Sequence, residues 1–174
     1  TVAGDTRVDR VLKLAENAPE NDIVSTFAGN RPVFIAGSAW EADEAVFLPV
    51  LQQAAFQHYK IIIAPHEPSE KHLTQLIARL ERPHIRYSAC AAAVPEADIL
   101  LIDNVGMLNT LYRYGSVAFI GGGFGKGIHN TLEPAAFGLP VLFGPRYEKF
   151  EEARQMVARG GAFAVRDAAE LQNV

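Results

Sequence analysis

The sequence predicts an α/β fold with a doubly wound parallel sheet. Short apolar segments of strand length alternate with amphipathic segments of helical spacing, which is the pattern of a parallel sheet covered by helices on both faces. Several of the predicted strands end in polar or glycine residues, where open α/β sheets bind ligands. Because 49% of the 174 residues are hydrophobic, residues 1–174 can bury one sizeable core and are expected to form a single domain.

The first third of the chain predicts two helices around one strand. Asp5 is a suitable N-cap, and the apolar residues after it follow helical spacing: they are Val8, Val11, Leu12 and Ala15. Residues 17–30 are polar and predict a connector. Residues 32–36 form an apolar strand that ends at Gly37. The helix predicted over residues 41–58 is expected to bury one face, formed by Ala45, Leu48, Leu51, Gln52 and Ala55.

The rest of the chain repeats the alternation. Strands are predicted over residues 60–64, 84–87, 98–102, 116–120, 141–143 and 162–165. Helices are predicted over residues 70–80, 106–112 and 148–159, and another ends at Phe137. After residue 87, a segment with a weaker pattern continues through Ala93. A further helix is predicted to begin close to Val174. The chain starts without Met, and we expect it to be one domain of a longer protein.

Five predicted strand ends carry glycine or polar residues. They are Gly37-Ser38, Pro65-His66, Asp103-Asn104, Gly121 to Gly127, and Gly144-Pro145-Arg146. Each one alone is an ordinary turn sequence, because Gly, Pro, Asn and Asp dominate turns. The carboxyl ends of parallel strands meet at one edge of a sheet, so together these five corners predict a ligand site there.

The glycine loop, residues 121–127, has five glycines in seven positions. Glycine lets backbone N–H groups approach a ligand closely, and a helix that follows adds unpaired N–H donors, so an anion or nucleotide site is expected. A Walker loop is excluded because Gly127 follows Lys126 and Ile120 occupies the first glycine position. A dinucleotide fingerprint is excluded because the loop comes late in the chain and its third glycine is misplaced.

Asn130 and Glu133 allow two interpretations, a helix cap or a ligand-binding pair. Their spacing is that of a capping box at a helix start, and a carboxylate there could equally accept two ribose hydroxyls. His129 is the histidine beside the loop and could donate to a phosphate or carboxylate. His66 ends a strand between two prolines. The other histidines, His58, His72 and His84, are predicted to be surface or helix-end residues.

Composition excludes several classes of protein. The net charge of −4 argues against a general nucleic-acid binder, since such proteins are usually basic. The single cysteine, Cys90, excludes an internal disulfide framework. No Cys/His spacing is that of a zinc site, so no metal is expected. No apolar run reaches the roughly 20 residues that a membrane-spanning helix requires.

The block from Gly121 to Pro145 resembles the C-terminal domain of 3-deoxy-D-manno-octulosonic acid (Kdo) transferases, which are two-domain glycosyltransferases of the GT-B type. The resemblance covers nearly the whole chain, and its most specific part is His129-Asn130-Thr131-Leu132-Glu133-Pro134. Further matching segments are Gly4 to Arg7, Gly37 to Glu41, Pro65 to Pro68 and Asp103 to Leu108. The chain departs from the family pattern at Ala39-Trp40, His66-Glu67 and Met107.

The resemblance implies a Rossmann-like domain that binds the donor CMP-Kdo without a metal or another cofactor. The residues implied at the site are Arg7, Ser38, Trp40, His66, Gly106, Met107, Gly121, Gly122, Gly123, His129, Asn130 and Glu133. Among them, Ser38 and Gly121 to Gly123 would hold phosphate and Glu133 the ribose. Arg7, His66 and Asn130 would contact phosphate or the sugar carboxylate, and Gly106 with Met107 the base.

The resemblance also implies what this chain lacks. The general base would lie on an N-terminal domain, so no catalytic residue is expected here and the domain alone should transfer nothing. The acceptor would be a lipid A precursor at the cytoplasmic side of the bacterial inner membrane, and the missing part would meet that membrane. Two other hypotheses remain: a GT-B domain that uses a UDP-sugar, and a nucleotide-binding regulatory module without chemistry.

Overall fold

The computed structural model describes residues 6–90 and 96–174. Its strands are β1 (Val33–Ala39), β2 (Lys60–Pro65), β3 (His84–Arg86), β4 (Ile99–Leu101), β5 (Val117–Ile120), β6 (Val141–Phe143) and β7 (Ala162–Ala164). They form one sheet in the order β3-β4-β2-β1-β5-β6-β7, and every neighbouring pair is parallel. The predicted doubly wound parallel sheet is confirmed.

Helices cover both faces of this sheet. They are α1 (Thr6–Glu16), α2 (Asp22–Ala28), α3 (Glu41–Leu51), α4 (Glu70–Ile77), α5 (Leu108–Leu111), α6 (Leu132–Ala136), α7 (Glu151–Ala158) and α8 (Ala168–Asn173). Successive strand residues point to opposite faces, so Ile35 and Ile62 pack against α2, α5 and α7, whereas Phe34 and Ile61 pack against α3, α4 and α8. Burial on both faces explains why the strands are continuously apolar.

The strand order reverses beside β1. From β1 the chain passes to β2 beside it, then to β3 at the edge of the sheet and back to β4 between β2 and β3. It then crosses to β5 on the other side of β1 and builds outward through β6 to β7. Connections leave β1 and β5 toward opposite faces at such a point, which opens a crevice beyond their carboxyl ends. The residues after these two strands are Trp40 and the glycine loop.

Two predictions for the first third of the chain are wrong. Residues 17–30 are not only a connector, because they contain α2, which is capped by Asn21 and buries Val24 and Phe27. The helix predicted to reach residue 58 ends at Leu51, and of the residues predicted to be buried only Leu48 and Leu51 are buried. Asp43 and Glu44 are fully buried in α3, whereas Ala45 and Ala55 are exposed. Binary patterning failed here because both carboxylates are buried and satisfied by hydrogen bonds.

Several predicted boundaries also move. β1 runs through Gly37 and Ser38 to Ala39, three residues beyond the predicted end, with an irregularity in its pairing with β2 between Gly37 and Ala39. The helices predicted over residues 70–80, 106–112 and 148–159 are each shorter in the structure. The Asp5 cap and the segment around Ala93 lie outside the described residues. Within the described ranges, no helix is both long and apolar enough to cross a membrane.

Candidate functional site

Three aromatic rings meet at the carboxyl edge of the sheet, and we call them the ring cluster: Trp40, His66 and His129. Trp40 follows β1, His66 follows β2, and His129 follows the glycine loop. The His66 ring stacks on Trp40 with 4.4 Å between centroids and on His129 with 4.3 Å. The Trp40 indole Nε1–H donates to His129 Nε2 over 3.0 Å. Three corners that the sequence placed on one edge are therefore in direct contact.

The glycine loop packs so closely between β1 and β6 that side chains are excluded. A Cβ on Gly121 would lie 2.2 Å from the Ser38 carbonyl oxygen, and a Cβ on Gly123 would lie 2.5 Å from the Gly144 nitrogen. Ser38 itself has a φ of +52°, which is strained for a residue other than glycine. Strained backbone of this kind gathers at functional sites. The first and third glycines are therefore needed for backbone-to-backbone contact.

Asp43 is a buried carboxylate that sequence reasoning missed. Its Oδ2 accepts from the backbone N–H of Trp40 at 2.9 Å and from that of Gly122 at 2.8 Å. It thus joins the start of α3 to the glycine loop, and the positive end of that helix favours its charge. The spacing of Trp40 and Asp43, cap and third helical residue, was the available signal, because acidic residues at that position commonly reach back to the cap N–H.

The contacts of Asp43 change what the loop amides can do. The Gly121 N–H donates to the Gly37 carbonyl at 2.9 Å, and the Gly122 N–H is bound by Asp43. Within residues 6–90 and 96–174, the Gly123 N–H forms no hydrogen bond. Of the three amides expected to hold phosphate, two are therefore already used by the protein, and the loop serves first to bring β1, β6 and His129 close together.

A cavity of about 470 Å³ opens beside His129, between α1, α6 and the start of α7, and we call it the Glu133 cavity. Four of the predicted site residues line it: Arg7, His129, Asn130 and Glu133. Arg10, Asn109, Phe150 and Glu152 line it as well. Arg7 pairs with Glu152 at 3.4 Å near its rim. The cavity thus combines two arginines, a helix start and two carboxylates, which suits a ligand with both anionic and hydroxyl groups.

Asn130 and Glu133 do not form the capping box that their spacing allowed. Asn130 Oδ1 accepts from the Leu132 N–H at 3.0 Å, while its amide donates to Glu133 Oε1 over 2.9 Å. The Glu133 side chain is therefore held by another side chain and faces the cavity. Burial raises the pKa of the Glu133 carboxyl, and the Asn130 hydrogen bond and the Arg10 charge offset this only partly. A carboxyl in a cavity whose pKa is shifted by burial is typical of a binding site.

A second cavity of about 660 Å³ lies on the other side of His129, and we call it the Trp40 cavity. Trp40, Gly122, Lys126 and His72 are among the residues that line it. Sequence reasoning took His72 for an ordinary surface residue, but its Nε2 bonds the fully buried Glu44 carboxylate at 2.7 Å, and Arg79 bonds the same carboxylate at 2.9 Å. Because His129 lines both cavities, it divides the cleft.

Two predicted residues, Gly106 and Met107, lie apart from the others. They follow β4, which is two strands away from β1, and line neither cavity. Met107 packs against the core beside the start of α5. It is Asn109, on the first turn of that helix, that reaches the Glu133 cavity, and its Oδ1 is buried without a hydrogen-bond partner in the described part of the chain.

Sequence reasoning also missed Arg10 and Tyr112. Arg10 lies one helical turn after Arg7, so a common face of α1 was the available signal. Tyr112 is 1% exposed. Its hydroxyl oxygen lies only 2.2 Å from the position that a Cβ on Gly37 would take, so a side chain at Gly37 would collide with it. Burial and the nearby Glu133 charge raise the pKa of the Tyr112 hydroxyl, so this hydroxyl stays neutral beside Gly37 of β1. In residues 6–90 and 96–174 no cluster of His, Cys, Asp or Glu could hold a metal ion.

Known proteins resemble this chain in sequence. It is 28% identical over 141 residues to a 3-deoxy-D-manno-octulosonic acid transferase of Aquifex aeolicus, 31% over 131 residues to that of Chlamydia pneumoniae, and 29% over 181 residues to that of Bordetella pertussis. These matches cover 79%, 74% and 97% of the chain. No family model matches it.

The chain is a relative of the Kdo transferases.

It spans only part of their length: the same three matches cover 39%, 30% and 41% of those proteins. Among solved structures, the C-terminal CMP-Kdo binding domain of WaaA from Acinetobacter baumannii matches 97% of this chain and 86% of that domain, with a TM-score of 0.74 at 21% identity. At this identity the match establishes the shared fold alone, a Rossmann-like parallel sheet with helices on both faces.

Proposed function

We propose that this chain is the donor-binding domain of a Kdo transferase and that CMP-Kdo binds across the Glu133 cavity. The observation that carries this proposal is the Glu133 carboxylate, which accepts a hydrogen bond from Asn130 and lines the Glu133 cavity. Arg7 and Arg10 line the same cavity. The sequence relationship to named Kdo transferases supports the choice of donor.

In this arrangement each ligand group meets a matching group of the protein. The ribose hydroxyls donate to Glu133, because an ionised carboxylate only accepts hydrogen bonds. The phosphate lies beside His129, the Gly123 N–H and Ser38, and Asn130 and His66 complete its surroundings. The base lies toward α5, where Asn109 has an unpaired oxygen and Gly106 with Met107 form the preceding turn.

CMP is the leaving group of the proposed transfer. As its bond to the sugar breaks, negative charge develops on the phosphate, and fixed donors that face this charge lower the barrier. Arg7, Arg10 and the His129 imidazole supply such donors, so the proposed chemistry needs neither a metal nor another cofactor. The general base, the lipid A precursor as acceptor, and attachment at the cytoplasmic side of the inner membrane belong, in this proposal, to a part outside this chain. The proposal involves no nucleic acid.

Titration of the isotope-labelled chain with CMP, UMP and AMP tests the proposal. We expect CMP to bind more tightly than UMP and AMP, with chemical-shift changes at Glu133, Asn130, His129 and α1. Tighter binding of UMP would favour a UDP-sugar enzyme, and no binding of any of the three would favour a regulatory module. Incubation with CMP-Kdo and acceptor should yield no transfer by the chain alone.

A pair of variants locates the site. Glu133→Gln keeps the Asn130 contact possible but removes the charge, and it should weaken CMP binding about tenfold or more, because hydrogen bonds to charged groups contribute about 1.5–3 kcal/mol. Glu81→Gln, at an exposed position outside both cavities, is the matched control and should bind CMP as the wild type does. Equal CMP affinity of the two variants would move the site away from Glu133.

A further inference from the structure

Trp40 offers one hydrogen-bonding group to the cleft, its indole N–H, and this group can only donate. The atom that it meets, 3.0 Å away, is His129 Nε2. A ring nitrogen that accepts a hydrogen bond carries no proton, so the proton of this imidazole is on Nδ1. An imidazolium is excluded by the same contact, because both of its nitrogens are donors.

We propose that Trp40 is a positioning residue that holds His129 as a neutral imidazole with its proton on Nδ1, and so aims one N–H donor at the ligand. Free histidine prefers the other neutral tautomer, with the proton on Nε2. The indole therefore selects the form that the side chain would otherwise populate less.

The packing of the ring fixes where this donor points. The Cδ2 edge of His129 lies against Gly122, 3.2 Å from the place that a Cβ on that glycine would take. Nδ1 is on the opposite side of the ring from Cδ2, so its N–H faces away from the glycine loop. Within the described part of the chain Nδ1 forms no hydrogen bond, and His129 lines the cleft on both sides. The donor is therefore available to an oxygen of a bound molecule.

The surroundings of His129 favour its neutral form. His66 stacks on it at 4.3 Å, and two stacked imidazoles resist carrying charge together. Burial and His66 lower the pKa of His129, and Asp43 opposes this. The other titratable or charged groups that line the two cavities around it are Arg7, Arg10, Glu133, Glu152, Glu41, Glu67, Lys71, His72 and Lys126. They carry both signs, so the lining of the two cavities as a whole is not purely acidic.

A neutral, preoriented donor has a specific use here. It can bond a phosphate or carboxylate oxygen without taking up a proton as the ligand binds, so affinity does not vary with pH through His129. The nature of the bound oxygen rests on the proposed function; the tautomer rests only on the contact with Trp40.

Long-range nitrogen–proton spectra of the histidine-labelled chain test the tautomer directly. At pH of about 7.5, His129, assigned by its loss in His129→Asn, should show a protonated Nδ1 and a bare Nε2. In Trp40→Phe, which keeps a ring but has no N–H, the signal should shift toward the Nε2-protonated form and the pKa of His129 should rise. His66→Phe keeps a stacked ring and is the control, so it should preserve the wild-type tautomer.

Two results would overturn the assignment: an Nε2-protonated or doubly protonated His129 in the wild type, or an unchanged tautomer in a Trp40→Phe chain that retains the wild-type backbone spectrum. CMP binding provides a second, independent test of the role of Trp40. Trp40→Phe should bind CMP about three- to tenfold more weakly at pH of about 8, the loss of one hydrogen bond, and its affinity should rise as pH falls and His129 gains a proton. Absence of CMP binding by the wild type, with the tautomer in place, would count against the proposed function and not against Trp40.

Discussion

Asp43 and Glu133 are two acids at the same cleft whose charges are satisfied in different ways. Asp43 is fully buried and accepts from the backbone N–H groups of Trp40 and Gly122 and, over 3.5 Å, from that of Phe124, so its charge is compensated by the protein itself. Glu133 has one side-chain partner, Asn130, and keeps acceptor capacity toward the cavity. At the scale of single residues, the first acid holds the structure of the cleft together, and the second has the free acceptor capacity that the proposed binding of ribose requires.

Asp43→Asn should destabilise the chain by about 1.5–3 kcal/mol, because the amide cannot accept from Trp40 and Gly122 without turning its own donors toward the Phe124 N–H. Urea unfolding measures this loss. Glu41→Gln, an exposed acid in the first turn of the same helix, is the control and should cost no more than about 1 kcal/mol. Similar losses in the two variants would show that Asp43 acts through the helix dipole alone.

Glu133 should give the free chain a specific pH dependence. Because burial raises the pKa of this carboxyl, its contribution to stability is complete below the unfolded value of 4.5 and is lost as pH rises through the raised folded value. Glu133→Gln does not titrate, so its free energy of unfolding relative to the wild type should increase between pH of about 4 and about 7. Urea unfolding without nucleotide at several pH values measures the difference, and a flat difference would contradict the raised pKa.

The glycine loop is the element that decides the shape of the cleft. Its glycines are spaced irregularly because each meets a different neighbour: Gly121 meets the Ser38 backbone, Gly123 meets Gly144, and Gly125 has only ordinary contacts. The loop therefore holds the ends of β1, β5 and β6 together and carries His129 into the ring cluster. Its resemblance to a phosphate-binding loop is only partial, since two of its amides bind the protein.

Alanine substitutions separate the roles of these glycines. Gly121→Ala should destabilise the chain by about 3 kcal/mol or more, because its Cβ meets backbone atoms that cannot turn aside. For a chain of this size that loss lowers the melting temperature by roughly 6–12 °C. Gly125→Ala in the same loop has its nearest neighbour at 3.5 Å and should change stability by no more than about 0.5 kcal/mol. Calorimetry compares the two, and a tolerated Gly121→Ala would refute the close packing.

The two ends of the sheet have different tasks in the whole molecule. At the carboxyl ends of the strands lie the ring cluster, both cavities and the strained Ser38. Asp98 precedes β4 at the amino end, where it contacts Arg31 at 2.7 Å, Arg82 at 3.6 Å and Lys60 at 3.9 Å. Burial lowers the pKa of both Lys60 and Arg82, so these cations need the acid beside them. This cluster supports the fold and has no contact with the cleft.

Asp98→Asn should therefore separate stability from binding. Removal of the acid leaves three cations without their shared partner, and since Asp98 is only partly buried we expect a loss of about 1–3 kcal/mol. CMP affinity, measured well below the melting temperature, should equal that of the wild type. Arg154→Gln, which breaks an exposed pair with Glu151, is the control and should change stability by no more than about 0.5 kcal/mol. A fall in CMP affinity would show that the two ends are coupled.

The sequence by itself determined the parallel sheet, because strands buried on both faces must be continuously apolar and helices that cover them must be amphipathic. It also predicted which edge of the sheet carries the cleft, since Gly, Pro and polar residues follow those strands. It could not show that Asp43 and Glu44 are buried, because the groups that satisfy them, Gly122 and His72, are distant in the chain. Nor could it show that His129 meets Trp40. The contacts of Asp43 with Gly122 and of Trp40 with His129 exist only once β1 and β5 lie side by side. The tertiary structure alone therefore decided which polar residues build the cleft and which face it.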